Sequence, residues 1–181
     1  LAKIDQLTGI FNHQSFFDEC GKLSREKGPF CCMAIDLDNF KQINDVYGHL
    51  EGDQVLRETG RILREVSKGR GLAGRIGGDE FALFFAGLPS AEEAGKIAAD
   101  ILEQVRMRGE TGPFPGFSIG IACMGEGERV REAFRRAGIS VQETAAPQKK
   151  AAPPAFTKAD LMEWGLSGGP DSAARRRALL T

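Results

Sequence analysis

The chain has only two histidines, His13 and His49, and four cysteines, Cys20, Cys31, Cys32 and Cys123. No Cys-x-x-Cys pair occurs and no spacing gathers these residues as ligands, so zinc chemistry is not expected. Cys31 and Cys32 lie inside an apolar run and are expected as reduced core side chains of an intracellular protein. No apolar stretch reaches the ~18 residues of a membrane span, and Leu1-Ala2-Lys3-Ile4-Asp5 does not read as a signal peptide. A soluble, cytoplasmic location without membrane contact is therefore expected. The chain also lacks a charge excess: 24 Lys and Arg against 25 Asp and Glu leave a formal net charge of -1. Such a balance gives no general attraction for nucleic acid or an anionic bilayer, so a polyanionic ligand has to be held by a local device, of which a bound metal is one. The absence of an initiator methionine suggests a piece of a longer protein.

What is present is enough for one core. With 181 residues, 41% hydrophobic and 27% charged, a single domain is favoured over two. Apolar spacing predicts a first helix over 11–27 with Asn12 as its N-cap, ended by Gly28-Pro29. The run Phe30-Cys31-Cys32-Met33-Ala34-Ile35-Asp36-Leu37 predicts a strand covered on both faces, with its acids at the end. A short helix over 40–46, a turn at Gly48 and a long helix over 52–66 follow. The stretch 72–85 reads as strand, two-glycine turn and strand. A helix over 91–107, a strand over 117–122 and a short helix over 130–137 complete the pattern. After Thr144 the composition shifts to Ala, Pro, Gly and Ser, so residues 1–144 are expected as the domain and 145–181 as a divergent tail. Without regular βα alternation or a fixed repeat, the order points to an α+β sandwich whose central sheet is mostly antiparallel and surrounded by helices.

Two acidic motifs carry the chemistry. Asp36-Leu37-Asp38 at a strand end offers hard oxygen donors for magnesium, although such a triplet also serves as a turn or helix cap. Asp79-Glu80 follows Gly77-Gly78, where missing side chains and access to positive φ let a triphosphate approach the backbone closely; a plain hairpin turn with solvated acids has the same composition. In conjunction, a strand-end Asp-x-Asp, a helical pair and an acid-bearing hairpin form the layout by which a polymerase-like palm brings distant carboxylates to one metal pair. In such a site one carboxylate takes the 3′-hydroxyl proton, the hydroxyl attacks the α-phosphorus, and Lys41 adds a cation near the developing charge.

Four segments, Asp5-x-Leu7-Thr8-Gly9 with Asn12, the run from Asp36 through Phe40, Lys41, Asn44, Tyr47, Gly48 and His49 to Gly52-Asp53-x-x-Leu56, Arg75-x-Gly77-Gly78-Asp79-Glu80-Phe81, and Ser118-Ile119-Gly120, together resemble the GGDEF domain, the diguanylate cyclase family. The resemblance covers roughly 5–137. It implies a nucleotide-cyclase fold and two magnesium ions, with manganese as an alternative, held by Asp36, Asp79 and the Leu37 carbonyl, with Glu80 as a further ligand. It implies Asp79 as proton acceptor and Lys41 as the group that steadies the transition state. Asn44, His49 and Asp53, together with Phe40, Gly77 and Gly78, are the implied substrate contacts, with Asn44 and Asp53 reading the guanine of GTP. A carboxylate at Asp53 accepts from the guanine N1 and N2 donors that adenine lacks, and leaving them unpaired costs on the order of 1–3 kcal/mol. His49 alternatively packs or caps a turn, and Arg75 is a substrate contact or pairs with a local carboxylate. A homodimer is implied, because each site holds one GTP, and so is a sensory or regulatory domain ahead of Leu1.

The chain departs from the family pattern twice. Where product-inhibited members carry Arg-x-x-Asp, this sequence has Lys68-Gly69-Arg70-Gly71, so feedback through that site is expected to be weak or absent. Where members have a helix reading like Ala-Asp-x-Ala-Leu-Tyr-x-Ala-Lys and then Gly-Arg-Asn, this sequence runs Arg135-Arg136-Ala137-Gly138-Ile139-Ser140-Val141-Gln142-Glu143. Arg135, Arg136, Lys149 and Lys150 are candidate replacements for the missing phosphate cations. A catalytically silent nucleotide-binding module is therefore the competing reading, with an adenylate cyclase or polymerase palm, opposed by Asp53 and Asn44, as a third.

Overall fold

The computed structural model describes residues 2–26 and 28–139. The expected boundary at 144 and the whole tail, Lys149 and Lys150 included, lie outside the described residues. Five helices and four strands follow in the order α1 (His13–Leu23), β1 (Phe30–Leu37), α2 (Phe40–Tyr47), α3 (His49–Ser67), β2 (Gly71–Arg75), β3 (Glu80–Ala86), α4 (Ala91–Thr111), β4 (Phe117–Cys123) and α5 (Val130–Ala137). Asn12 caps α1 through its side chain, which accepts from the Ser15 N–H at 3.0 Å. Ser90 does the same for α4, whose first turn carries Glu92 and Glu93 at the positive end of the helix dipole.

The sheet order is β2-β3-β1-β4, and the pairings β1–β3, β1–β4 and β2–β3 are all antiparallel. Two interleaved βαβ units of this kind, β1-α2-α3-β2 and β3-α4-β4, make the ferredoxin-like split that a palm is built on. The α+β expectation holds.

The sheet separates two apolar layers, because alternate side chains of a strand point to opposite faces. Met33, Ile35 and Leu37 of β1 and Leu83 and Phe85 of β3 pack with Ile62 and Leu63 of α3 and Ile101 of α4. On the other face, Cys32, Ala34, Ala82 and Phe84 pack with Phe16 and Phe17 of α1 and Phe134 of α5, where Phe16, Phe17 and Phe134 meet edge to face at centroid distances of 5.5 Å. Burial on both faces explains why β1 reads as an unbroken apolar run.

Two expectations need correcting. Cys31 is buried as expected, but it is not a lone reduced side chain: it stands opposite Cys123 in the β1–β4 register and the two sulfurs are joined, while Cys20 and Cys32 are free and buried. The glycine turn is longer than a two-residue hairpin loop, since β2 ends at Arg75 and β3 begins at Glu80, leaving residues 76–79 as the connection. Neither Gly77 nor Gly78 has positive φ. A Cβ on Gly77 would stand 3.0 Å from Glu80 Oε2, whereas one on Gly78 would meet nothing within 4 Å.

A candidate acidic site at the strand ends

The interior strand β1 delivers Asp36 to one end of the sheet, where it lies directly across from Glu80 of β3 and Ser118 of β4. Leu37 is buried, which fixes the strand end, while Asp36 itself is exposed. The Leu37 N–H donates to the Asp79 carbonyl at 3.2 Å, so the backbones carrying the two acidic motifs are hydrogen-bonded to each other. Ile76 and Gly77 both donate to the Glu80 carbonyl, at 2.8 and 3.2 Å, and close the turn. Asp36, Leu37, Asp79 and Glu80 are therefore brought together at one end of the sheet, and Gly78 leaves open space beside them.

Arg75 is turned toward this turn from its outer side. Its Nε donates to the Gly77 and Gly78 carbonyls at 3.1 and 3.3 Å, and a terminal nitrogen reaches the Gly78 carbonyl at 2.8 Å. The other terminal nitrogen pairs with Asp5 at 3.3 Å. Of the two readings of Arg75, the local carboxylate partner is the one the geometry displays. Asp5 also accepts from the Thr8 N–H at 2.9 Å and the Thr8 hydroxyl at 2.7 Å. Burial alone would raise the Asp5 pKa, but the Thr8 hydrogen bonds and the Arg75 charge outweigh it and hold the carboxyl below its ordinary value.

A second cluster sits where α2 meets α3. Gly48, with φ of 87°, joins the two helices and donates to the Asn44 carbonyl at 2.9 Å. The helices approach closely at Gly52, where an added Cβ would lie 1.9 Å from Asn44 Oδ1 and 3.3 Å from Phe40 Cζ. Asn44 and Phe40 are thereby gathered against Gly52, with Asp53 the next residue along α3. The Asp53 carboxylate is partly exposed and lies 3.9 Å from Arg57. Lys41 and His49 are exposed, Lys41 on the first turn of α2 and His49 at the start of α3.

Sequence reasoning assigned no task to Ser118 or Asp5. Ser118 Oγ donates to Asp38 Oδ1 at 2.6 Å, linking β4 to the loop that leaves β1. Asp38 thus anchors the exit of β1 to β4 and does not cap α2, whose N-cap position is Asn39 with no side-chain cap bond. The signal for both lay in motif membership alone, because contacts such as Arg75–Asp5 have no local periodicity to betray them.

The donor set is hard oxygen throughout, which suits magnesium or manganese. Among the described residues no three His, Cys, Asp or Glu side chains form a complete metal group. A partial protein shell is what magnesium tolerates, since it keeps several waters and takes substrate phosphate oxygens beside one or two carboxylates.

The split βαβ sheet with acids at its strand ends defines a palm-like domain of the nucleotide-cyclase fold class. The chain belongs to the GGDEF domain family: the family model described as diguanylate cyclase, GGDEF domain, matches residues 2–150. Relatives include the probable diguanylate cyclase DgcT of Escherichia coli K12, 36% identical over 121 residues, covering 66% of this chain and 26% of that protein. The diguanylate cyclase DgcS of Shewanella oneidensis is 41% identical over 90 residues, 48% of this chain and 30% of that protein. The chain thus spans less than a third of these relatives. The GGDEF domain of DgcB from Caulobacter crescentus, solved in complex with c-di-GMP, superposes with a TM-score of 0.69 at 28% identity, covering 76% of this chain and 84% of that one. Diguanylate cyclase SiaD of Pseudomonas aeruginosa, solved with its activator SiaC, has a TM-score of 0.66 at 26% identity, over 75% of this chain and 55% of that one. Among the described residues no helix is long and apolar enough to cross a membrane.

Proposed function

We propose that this domain condenses two GTP molecules into cyclic di-GMP with release of pyrophosphate. The observation that carries the reading is the convergence of Asp36 with Asp79 and Glu80 on hydrogen-bonded strand ends. Asp36, Asp79 and the Leu37 carbonyl, with Glu80 as a further ligand, would hold two magnesium ions. Those ions, when bound, offset phosphate charge and polarise the reacting phosphorus. Asp79 accepts the proton of the attacking 3′-hydroxyl, and Lys41 supplies positive charge to the phosphates from the first turn of α2. Asn44 and Asp53 read guanine, with Phe40 against the same pocket and His49 contacting the substrate from the start of α3. Gly77 and Gly78 admit the triphosphate, and Arg75 holds their carbonyls in place. Because each site takes one nucleotide, two copies of the domain face each other during turnover. In the full-length protein a preceding sensory or regulatory domain would set that encounter, and the domain itself works in the cytoplasm.

The competing reading is a nucleotide-binding module without turnover. It is favoured by α5, where Arg136 is committed to Glu128 at 2.8 Å and to the Cys123 carbonyl at 2.7 Å rather than to a phosphate site. Incubation of the purified protein with GTP and magnesium separates the two. Pyrophosphate and cyclic di-GMP in a two-to-one ratio are expected, abolished by Asp79→Asn; tight GTP binding with no product would establish the silent module.

A further inference from the structure

Cys31 is the second residue of the buried strand β1 and Cys123 closes the edge strand β4, 92 positions further along the sequence. They are direct cross-strand partners. Their Cα atoms are 4.1 Å apart, close to the spacing of a pair that exchanges no backbone hydrogen bonds, and the neighbouring ladder bond from the Met124 N–H to the Phe30 carbonyl holds at 2.9 Å. The backbone ladder by itself sets the two cysteines opposite one another. The environment also accommodates the reduced state, since the Leu88 and Ser90 carbonyls lie 3.6 and 3.9 Å from Cys31 Sγ, placed to accept from its thiol once the bond is reduced. Cys31 is fully buried, whereas Cys123 is half-buried at the strand end and is the more exposed of the two. Cys20 and Cys32 sit on the opposite face of the sheet, where burial pushes both thiols up and keeps them protonated.

We infer that Cys31 and Cys123 form a reversible oxidation site that covalently ties the edge strand β4 to the strand carrying Asp36. With a peroxide as oxidant, the Cys123 thiolate attacks one peroxide oxygen, the O–O bond breaks, and the departing oxygen takes up a proton and leaves as water, or as an alcohol from an alkyl peroxide. Cys123 is then a sulfenic acid. The Cys31 thiol, surrendering its proton, attacks that sulfur and displaces the hydroxyl as a second product water. Two electrons pass from the sulfurs to the peroxide, and both thiol protons end in the released molecules. A dithiol reductant restores the pair by exchange, attacking first at the more exposed Cys123 sulfur.

The inference stands apart from the cyclase reading, and its test needs no turnover. The full chain, reduced with dithiothreitol, is treated with hydrogen peroxide, unfolded in the presence of iodoacetamide and analysed by peptide mass spectrometry. A single Cys31–Cys123 cross-link is expected, reversed by dithiothreitol, with Cys20 and Cys32 alkylated throughout. The oxidised form should melt higher than the reduced form by roughly 5–10 °C. Cys123→Ser, at the half-buried position, should fold and lose both the cross-link and the redox-dependent shift, while Cys20→Ala keeps both. A cross-link through Cys20 or Cys32, conversion of Cys123 to sulfinic acid without any cross-link, or equal melting temperatures of the two forms would each overturn the assignment.

Discussion

Two glycines decide how the candidate site behaves. Gly52 is where α2 and α3 touch, and any side chain there runs into Asn44 Oδ1. Gly52→Ala should therefore displace Asn44 and disturb the guanine contact proposed for it, without touching Asp36, Asp79 or Glu80. A drop of about 10- to 100-fold in kcat/KM for GTP is expected from losing one or two buried polar contacts, with pyrophosphate release as the measurement. Gly71 occupies the place of the aspartate in the inhibitory motif of relatives, and a Cβ there would stand 2.5 Å from the Phe84 carbonyl oxygen. Arg70, the neighbouring cation, donates to the Val66 carbonyl at 3.0 Å and lies over the Phe85 ring at 5.7 Å. The aspartate is thus not only missing but has no room in this packing. Turnover should accordingly be insensitive to added product, and strong noncompetitive inhibition at low product concentration would contradict this.

At the scale of elements, α5 lies against β4 with almost no clearance. A Cβ on Gly120 would fall 1.8 Å from the Ala137 carbonyl oxygen, so the glycine of Ser118-Ile119-Gly120 is what lets the helix seat. Gly120→Ala should force α5 outward and cost about 1–3 kcal/mol, read as a lower denaturant midpoint at an unchanged m-value. The elements themselves were largely legible in the sequence. β1 and α5 lie where the apolar run and the helical spacing put them, and α3 and α4 differ only by turns gained at their ends. What was not legible is non-local. The first helix stops at Leu23, short of the expected 27, because residues 24–26 turn back onto the end of α1. Asp5 with Arg75, Ser118 with Asp38, and Cys31 with Cys123 are pairs fixed by sheet register and chain return, which no periodicity encodes. Composition locates the glycine turn but signals neither its length nor whether its glycines take positive φ.

At the scale of the molecule, polar links between helices of one layer can be followed among the described residues. Glu58 of α3 is one of them: the Arg61 guanidinium grips it at 2.8 and 2.9 Å, and Arg108 of α4 reaches it from the neighbouring helix. The Arg61 hydrogen bonds lead, burial opposes, Arg108 adds to them, and the carboxyl is pulled down to about 2 from 4.5. A depressed carboxylate contributes stability above its unfolded pKa and loses it as the pH falls toward the folded one. The contribution of Glu58 is therefore full at neutral pH and fades between about pH 4.5 and 2. Partial exposure screens it, so Glu58→Gln should cost ~1 kcal/mol or less at neutrality and nothing near pH 2, a difference thermal melts at low and moderate salt would register.

The two helices that line one face of the sheet come from opposite ends of the described chain. Phe16 and Phe17 of α1 are shielded by Phe134 of α5, more than a hundred positions later in the sequence. During synthesis that layer has to wait until the ribosome has released α5, and until then its aromatic surface is open to water and to chaperones. A nascent chain arrested before Val130 should bind an apolar dye and aggregate, even though every strand of its sheet has already been made.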